Sequence, residues 1–268
     1  MDERDAVDAV DEPVTTTSLL DDLRALGVEA GDTLLVHSSL GSLGWVCGGA
    51  PAVVDALRAA VTEDGTLVVP THSTQNSDPT DWSDPPVPEG WVERIRETMP
   101  PYRPAVTPTR GMGAIPECVR DYPDVRRSDH PSLSFAAWGA DAEFVVGDHG
   151  LDDALGEPSP LARVYDLAGD VLLLGVGHDA NTSLHLAEYR ADLPTERVTE
   201  GAATLVDGER RWVEYDDIEQ DTGDFPDLGR AFEREVGLAD GRVGTATAKL
   251  ASQPRLVDFA VDWFEANR

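Results

Sequence analysis

Three short apolar runs, each ending in a turn, constrain the fold of this chain most strongly. They are TLLVHSS (33–39), TLVVPTHS (66–73) and DVLLLGVG (170–177). Runs of this length, bounded by turn residues, are typical of buried strands. A helix pattern at 51–61 lies between the first two runs, and a strand, helix, strand order predicts a parallel pair with a right-handed crossover. The sequence therefore predicts an α/β fold with a mixed, largely parallel central sheet flanked by helices.

Capping and turn signals predict the remaining elements. Ser18 is the predicted cap of an amphipathic helix that Gly27 ends, and Asp207-Gly208 predicts the turn of a β-hairpin. Residues 1–15 are acidic and without periodicity, so we expect a flexible tail there and, at 16–268, a single domain or two intimate subdomains. The other patterns predict strands at LSFAAWG (133–139) and AEFVV (142–146), and helices at 159–168 and 256–264.

The charge balance limits the partners of this protein. The chain carries 51 acidic and 21 basic residues, a net charge of -30, and the acidic residues are spread along its whole length. Such a surface repels nucleic acid and anionic membranes. The apolar fraction of 41% is that of a folded protein, so we interpret the acidity as adaptation to a high-salt, halophilic cytoplasm. The expected partners are small molecules, and the expected state is a monomer or homodimer.

The segment GVGHDANTSLHLAEYR (175–190) carries the strongest chemical signal. His185 and Glu188 lie three residues apart directly after the cap-like run Asn181-Thr182-Ser183. In a helix this spacing places both side chains on one face, so the carboxylate can orient the imidazole and leave one ring nitrogen free as a general base. Reactive groups just past the carboxyl end of a strand lie where open α/β sheets bind ligands.

Two alternatives to catalysis exist for this pair. A His-x-x-Glu pair on a helix is often a surface ion pair, although the apolar neighbours Leu184, Leu186 and Ala187 favour burial. The pair can also supply two metal ligands, but the His-Glu-x-x-His spacing of zinc hydrolases is missing, so no metal is expected. Cys47 and Cys118 have no metal or redox spacing, and the N-terminus shows no signal peptide, so we expect a cytoplasmic protein.

Several ordered motifs together resemble the aminoglycoside 3-N-acetyltransferase family, from about Ser18 to the last helix. The matching segments are VHSSLGSLGWVCGG (36–49), TLVVPTHS (66–73), DPPVP (84–88), RSDHPSLSFAAWG (127–139), GEPSPL (156–161), GVGHDANTSLHLAEY (175–189) and GRVGTATAKLASQPRLVDFAVDW (241–263). The resemblance implies acetyl transfer from acetyl-coenzyme A to the 3-amino group of an aminoglycoside, an activity linked to antibiotic resistance. It also implies a fold other than that of the common small acetyltransferases, in agreement with the missing pyrophosphate loop of that class.

The resemblance implies a role for each residue of the helical motif. His185 is the general base that deprotonates the attacking amine, and Glu188 orients it and stabilises its charge. Thr182 is a candidate donor to the oxyanion of the tetrahedral intermediate, a contribution of about 10²-fold in rate or more, or else a helix cap.

Two sets of residues are candidates for binding the substrates. The turn after the first strand and the glycines before the next helix can seat a pyrophosphate, and the family lines its cofactor cleft with the SFAAWG segment. His130 either contacts a phosphate or caps the turn at Pro131, and a histidine at a buried strand end such as His37 is often structural. The cofactor set is His37, Ser38, Ser39, Leu40, Gly48, Gly49, Thr71, His130, Ser134, Phe135 and Ala136; the set for the cationic sugar is Asp78, Trp82, Asp216, Asp217 and Asp221.

Two other functions use the same residues. A thioester hydrolase would employ His185 and Glu188 to activate water, and would release coenzyme A without an amine. A binding protein for sugars or coenzyme A would need no catalytic residues. The presence of Thr182, His185 and Glu188 together therefore disfavours this function.

We predict that the melting temperature rises as KCl is increased from dilute buffer to molar concentration. A net charge of -30 repels itself at low ionic strength, and molar salt shortens the screening length to a few ångströms. Thermal unfolding followed by fluorescence measures the effect, with sucrose as the uncharged control solute. A melting temperature independent of KCl would contradict the halophilic interpretation.

Overall fold

The structure is a computed structural model that describes residues 3–8 and 10–268. Its strands are β1 (Thr33–Ser38), β2 (Thr66–Pro70), β3 (Arg126–Arg127), β4 (Phe135–Gly139), β5 (Asp170–Leu174), β6 (Arg197–Val206), β7 (Glu209–Ile218), β8 (Ala239–Val243) and β9 (Ala246–Ser252). Seven of them form one sheet in the order β3-β4-β2-β1-β5-β9-β8, and β6 pairs with β7 in a separate hairpin.

Helices cover both faces of the sheet. Within the described residues the α-helices are α1 (Glu3–Asp8), α2 (Thr16–Leu26), α3 (Ala50–Val61), α4 (Val92–Thr98), α5 (Ala114–Arg120), α6 (Ala142–Val146), α7 (Pro160–Asp166), α8 (Ser183–Arg190), α9 (Phe225–Glu235) and α10 (Gln253–Asn267). None of these helices has the length and apolar character needed to cross a membrane.

The centre of the sheet is parallel. β1 pairs in parallel with β2 on one side and with β5 on the other, whereas the four outer pairings are antiparallel. The mixed α/β sheet flanked by helices is confirmed, with its parallel part restricted to these three strands. Because parallel strands end at the same edge of a sheet, the carboxyl ends of β1, β2 and β5 lie side by side.

Two apolar cores lie on opposite faces of this sheet. Leu34 and Val36 of β1 pack with α2 and α3 in one core, and Leu35 packs with α8 and α10 in the other. Successive side chains of a strand point to opposite faces, which explains this division. The same alternation puts His37 on the face of Leu35, which is the face that α8 covers.

Two local predictions were wrong. The segment AEFVV is helix α6, because Ala142, Val145 and Val146 are buried at the i, i+3, i+4 spacing of a helix. Helix α2 is capped by Thr15, and Ser18 is its reciprocal partner: each side chain accepts a hydrogen bond from the other residue's backbone amide. The predicted hairpin is confirmed, with positive φ at Asp207 and Gly208.

The folded part of the chain begins before residue 16. Val14 is 7% exposed and forms a parallel bridge with Val46. Of the predicted tail at 1–15, Met1, Asp2 and Ala9 lie outside the described residues. The division into a tail and a single domain stays a prediction.

We predict that Asp170→Asn stabilises the protein above pH 6. Burial, followed by the nearby charge of Asp32, raises the pKa of Asp170 from 3.8 to about 6. Between these two pH values the folded state therefore binds more protons than the unfolded state. Ionisation of this carboxyl thus lowers the free energy of unfolding as pH rises through this range. Because the side chain is partly solvated, we expect a gain of about 1 kcal/mol at pH 8.

Urea unfolding at pH 4 and pH 8 measures this difference. The exposed Asp64→Asn is the matched control and should change little at either pH. An Asp170→Asn variant with equal stability gains at both pH values would contradict the assignment.

Candidate active site

The candidate active site lies where β1, β2 and β5 end. His37 is the next-to-last residue of β1, and His72 follows β2 by two residues. His185 lies in α8, which the chain reaches soon after β5. Val68 packs in the same core as Leu184 of α8, and the strand alternation puts His72 on that face. The fold thus brings three histidines to one edge of the sheet.

His185 and Glu188 form a buried pair. The Nδ1 atom of His185 lies 2.5 Å from Oε2 of Glu188, and the two residues are 7% and 3% exposed. The imidazole packs against Phe225 with 5.0 Å between the ring centres. Because Nδ1–H donates to the carboxylate, Nε2 carries the lone pair and can accept a proton. A surface ion pair is therefore excluded.

The second oxygen of Glu188 also has partners. Its Oε1 accepts hydrogen bonds from Nη1 of Arg268 at 2.6 Å and from the backbone amide of Asp221 at 3.2 Å. Both carboxylate oxygens are thus occupied, which a buried charge requires. No local pattern indicated Arg268, since it is 80 residues from Glu188 and no spacing rule connects them.

Thr182 precedes α8, but its hydroxyl does not cap that helix. Asn181 does so, because its Oδ1 accepts from the amide of Ser183 at 3.2 Å. The Oγ1 of Thr182 lies instead 3.3 Å from Nε2 of His37. Burial and then the charge of His185 lower the pKa of His37 to about 3, so His37 is neutral at pH 7. The hydroxyl of Thr182 is available to the site.

His72 is a site residue that the sequence analysis missed. It is 5% exposed, and neither ring nitrogen has a hydrogen-bond partner among the described residues. Burial, and then the charges of His185, His37 and His149, lower its pKa to about 3, while a backbone group of Leu133 acts in the opposite direction. Its position close to the carboxyl end of a strand, like that of His37, was the available signal.

A cavity of about 410 Å³ lies beside the hairpin β6–β7. We call it the acidic cavity, because Asp81, Glu200, Asp217 and Glu219 are among its lining residues. Burial and then neighbouring carboxylates raise the pKa of both Asp81 and Glu200. Burial also raises the pKa of Asp217. Because its described lining residues include no Lys or Arg, the cavity concentrates negative charge and suits a cationic ligand.

Helix α8 connects the acidic cavity to the His185–Glu188 pair. Asp217 accepts a hydrogen bond from the hydroxyl of Tyr189, the residue that follows Glu188. Four residues after Asp217, the amide of Asp221 donates to Glu188. Leu133, whose backbone faces His72, also lines the cavity. A ligand in the cavity therefore lies close to the elements that carry the histidines.

The residues predicted to bind the sugar are not all in this cavity. Asp217 lines it, and Trp82 donates through Nε1 to Ser77, another lining residue. Asp78 is instead paired with Arg96 at 2.8 Å. Asp216 is exposed and accepts from Thr199 at 3.2 Å, and Asp221 contributes its backbone to Glu188. Asp81, Glu200 and Glu219 were missed, since a chain rich in acid offers no local signal for them.

The first part of the predicted cofactor set forms an open turn. Ser38 has a buried Oγ with no partner among the described residues, and Ser39 follows β1 together with Leu40. Gly48 and Gly49 have φ of 90° and 65° and precede α3, and a Cβ on Gly49 would meet nothing within 4 Å. The amide of Gly49 donates to the carbonyl of Val46 at 2.9 Å, that of Ala52 donates to Gly49 at 3.2 Å, and Pro51 has no amide hydrogen. The open space beside the glycines, and not a set of free amides, is therefore what could admit a pyrophosphate.

The second part of that set is inside the fold. Thr71, Ser134, Phe135 and Ala136 are fully buried. Arg127 donates to the hydroxyls of Thr71 and Ser134, each at 3.1 Å. These residues support the site from within the sheet.

His130 has a structural position as well. Its Nδ1 accepts from the amide of Leu133 at 2.9 Å, and its Nε2 donates to the carbonyl of Leu151 at 3.2 Å. Both ring nitrogens are occupied, which favours the turn-capping alternative over a phosphate contact.

Over residues 3–8 and 10–268, no group of three or more His, Cys, Asp and Glu is placed to bind a metal ion. The site as described consists of a histidine–carboxylate pair, the hydroxyl of Thr182 beside His37, and an acidic cavity.

Comparison with known proteins shows which family this chain resembles. A family model described as aminoglycoside 3-N-acetyltransferase matches residues 35–265. The aminoglycoside N(3')-acetyltransferase-like protein YokD of Bacillus subtilis is 48% identical over 95% of this chain and 94% of its own length. Aminoglycoside N(3)-acetyltransferase III of Pseudomonas aeruginosa is 34% identical, again over 95% and 94%.

Solved structures show the same fold. The crystal structure of YokD from Bacillus subtilis has a TM-score of 0.97 at 46% identity and covers 98% of each chain. A structure of AAC-VIa bound to sisomicin has a TM-score of 0.87 at 33% identity, covering 96% of this chain and 99% of the other. A binary complex of AAC-IIIb with CoASH has a TM-score of 0.85 at 29% identity, covering 95% and 97%. The chain belongs to the aminoglycoside 3-N-acetyltransferase family.

Proposed function

We propose that this protein transfers the acetyl group of acetyl-coenzyme A to an amine of an aminoglycoside or a related amino sugar, at the 3-N position. The observation that carries the proposal is the buried His185–Glu188 pair, linked through α8 to an acidic cavity. The relatives named above, one bound to sisomicin and one to CoASH, support both substrates.

His185 is the proposed general base. The amine of an aminoglycoside is protonated near neutrality, so it first releases one proton to bulk water and attacks the thioester as the neutral amine. The neutral amine then attacks the carbonyl carbon: the C–N bond forms, the C–S bond breaks, and the second amine proton passes to Nε2 of His185. The imidazolium returns this proton to the departing thiolate, which leaves as free coenzyme A. Glu188 stabilises the imidazolium between these two transfers.

Thr182 is the proposed donor to the oxyanion. Its Oγ1 lies 3.3 Å from Nε2 of His37, and a neutral His37 that donates through Nε2 leaves the hydroxyl proton of Thr182 free. One such donor contributes about 10²-fold in rate. His37 then acts on the reaction through Thr182.

The acidic cavity is the proposed acceptor site. Burial and then repulsion from neighbouring carboxylates raise the pKa of Glu200, and a polycationic sugar relieves this repulsion on binding. Acetyl-coenzyme A is assigned to the turn at Ser38–Leu40 and to the glycines before α3, where the space beside Gly49 is open and the hydroxyl of Ser38 has no partner among the described residues. Coenzyme A supplies the activated acyl group, and this chain supplies the base and the alignment of the amine.

Thiol release from acetyl-coenzyme A, measured in molar KCl across a panel of aminoglycosides and amino sugars, tests the function. We expect release that depends on the amine, with a mono-acetylated product by mass spectrometry. Release without any amine would instead identify a thioester hydrolase. Binding of both ligands without release would identify a binding protein.

We predict that His185→Ala lowers kcat by about 10²- to 10⁴-fold, because it removes the base. The dissociation constant of coenzyme A should stay within a few-fold, because His185 acts on the amine. Glu188→Gln should lose less activity, since the amide still orients the ring but does not stabilise the imidazolium. Steady-state kinetics and calorimetry measure these quantities, and normal turnover in His185→Ala would overturn the assignment.

We predict that Glu200→Gln raises the KM for the aminoglycoside about tenfold and leaves the KM for acetyl-coenzyme A unchanged. One lost charge contact of this kind corresponds to about 1.4 kcal/mol. The variant should also unfold at a higher temperature, because it relieves the repulsion in the cavity. Glu214→Gln, an exposed change on the same hairpin, is the control. Equal changes in KM for both variants would argue against acceptor binding in the cavity.

A further inference from the structure

Arg268 connects three elements around the active-site carboxylate. Besides its 2.6 Å contact with Glu188, it donates to both carboxylate oxygens of Asp224, at 2.8 and 2.6 Å, and to the carbonyl of Asp221 at 2.7 Å. Its guanidinium stacks on Phe264 of α10 at 4.0 Å from the ring centre. Burial opposes its charge, but the hydrogen bonds to Asp224 and Glu188 outweigh this and raise the pKa of Arg268. It is a permanent cation beside the site.

The two carboxylate oxygens of Glu188 contact different side chains. Oε2 contacts the imidazole of His185, and Oε1 contacts the guanidinium of Arg268. The side chain of Glu188 is 2% exposed, so water does not screen these contacts, whereas that of Arg268 is 20% exposed. Rotation of the carboxylate away from His185 would break the contact with Arg268 at the same time.

We propose that Arg268 is a positioning residue for the reaction: it fixes the Glu188 carboxylate on His185 and offsets its charge, so that the imidazolium releases its proton within each turnover. This inference rests on the proposed function. A carboxylate beside a histidine stabilises the imidazolium, and a cation on its other oxygen weakens that stabilisation. A base that binds its proton too strongly is a poor donor to the departing thiolate.

The charged and titratable groups that face His185 come from several elements. Glu188 lies on its own helix, and Arg268 follows α10. His37 comes from β1 and His72 from the segment after β2, and both are neutral near pH 7. Asp221 and Asp224 lie before α9. Arg268 is thus the arginine in contact with the carboxylate of the pair. Its removal leaves Glu188 with the ring of His185 and the amide of Asp221 as its described partners.

The test is the pH profile of kcat/KM for the aminoglycoside, in Arg268→Gln at constant KCl. We expect the acid limb to move to higher pH by about one unit, because the uncompensated carboxylate stabilises the imidazolium. Arg268→Lys keeps the positive charge. The acid limb of its pH profile should therefore differ from that of the wild type by no more than about a third of a unit. Arg190→Gln is the control. Arg190 lies on the same helix as His185 and Glu188, but it pairs with a different carboxylate, Glu157, at 2.7 Å.

A second measurement separates this inference from the proposed function. NMR titration of the His185 ring in the free protein needs no substrate and should show the same displacement in Arg268→Gln. If acetyl transfer were absent from the wild type but the displacement present, the proposed function would fail and the positioning role would stand. If Arg268→Gln is folded and loses activity equally at every pH, with no displacement in the titration, Arg268 is structural only. If Arg268→Gln does not fold, the titration of His185 in Arg268→Lys decides. A curve close to that of the wild type would support the proposal, and a curve displaced by about one unit would overturn it.

Discussion

The buried carboxylate of Glu188 is the interaction on which the site depends. Its oxygens contact His185 from the same helix, Arg268 after α10 and the amide of Asp221 before α9. A carboxylate at 3% exposure is tolerated only when such partners replace its water. The pair is therefore assembled by tertiary structure, although its two members are three residues apart. Displacement of α10 or of the segment before α9 would change the chemistry of His185 without altering α8.

The sheet provides the second constraint, because it sets where the other site residues lie. Parallel pairing of β1 with β2 and β5 aligns the ends of three strands, and α8 begins soon after the third. His37 and His72 then share the face that α8 covers. Arg127 strengthens this edge: besides Thr71 and Ser134, it donates to the backbone carbonyl of Thr107 at 2.6 Å, joining the end of β2 to a loop. Arg127 thus cross-links the end of β2, the start of β4 and a loop beneath the histidines.

Residue spacing and turn signals predicted those parts of the molecule that depend on neighbouring residues in the sequence. Spacing alone predicts the strands other than AEFVV, the hairpin turn at Asp207-Gly208 and the i, i+3 geometry of His185 and Glu188, and the structure has them. AEFVV failed because five apolar-rich residues fit both periods, and only burial at helical spacing decides between them. Arg268 and Glu200 reach the site from distant sequence, and in a chain with 51 acidic residues no single carboxylate is distinctive.

The crowding of carboxylates in the acidic cavity has a consequence for the end of the catalytic cycle. Under the proposed function, acetylation converts a cationic amine into a neutral amide, so the product carries one positive charge fewer than the substrate. Glu200 and its neighbours, whose repulsion the substrate relieves, are again partly uncompensated once the amide has formed. The electrostatic field that attracts the antibiotic therefore binds its acetylated form less tightly. The chemical step thus lowers the affinity of the cavity for the product and favours its release.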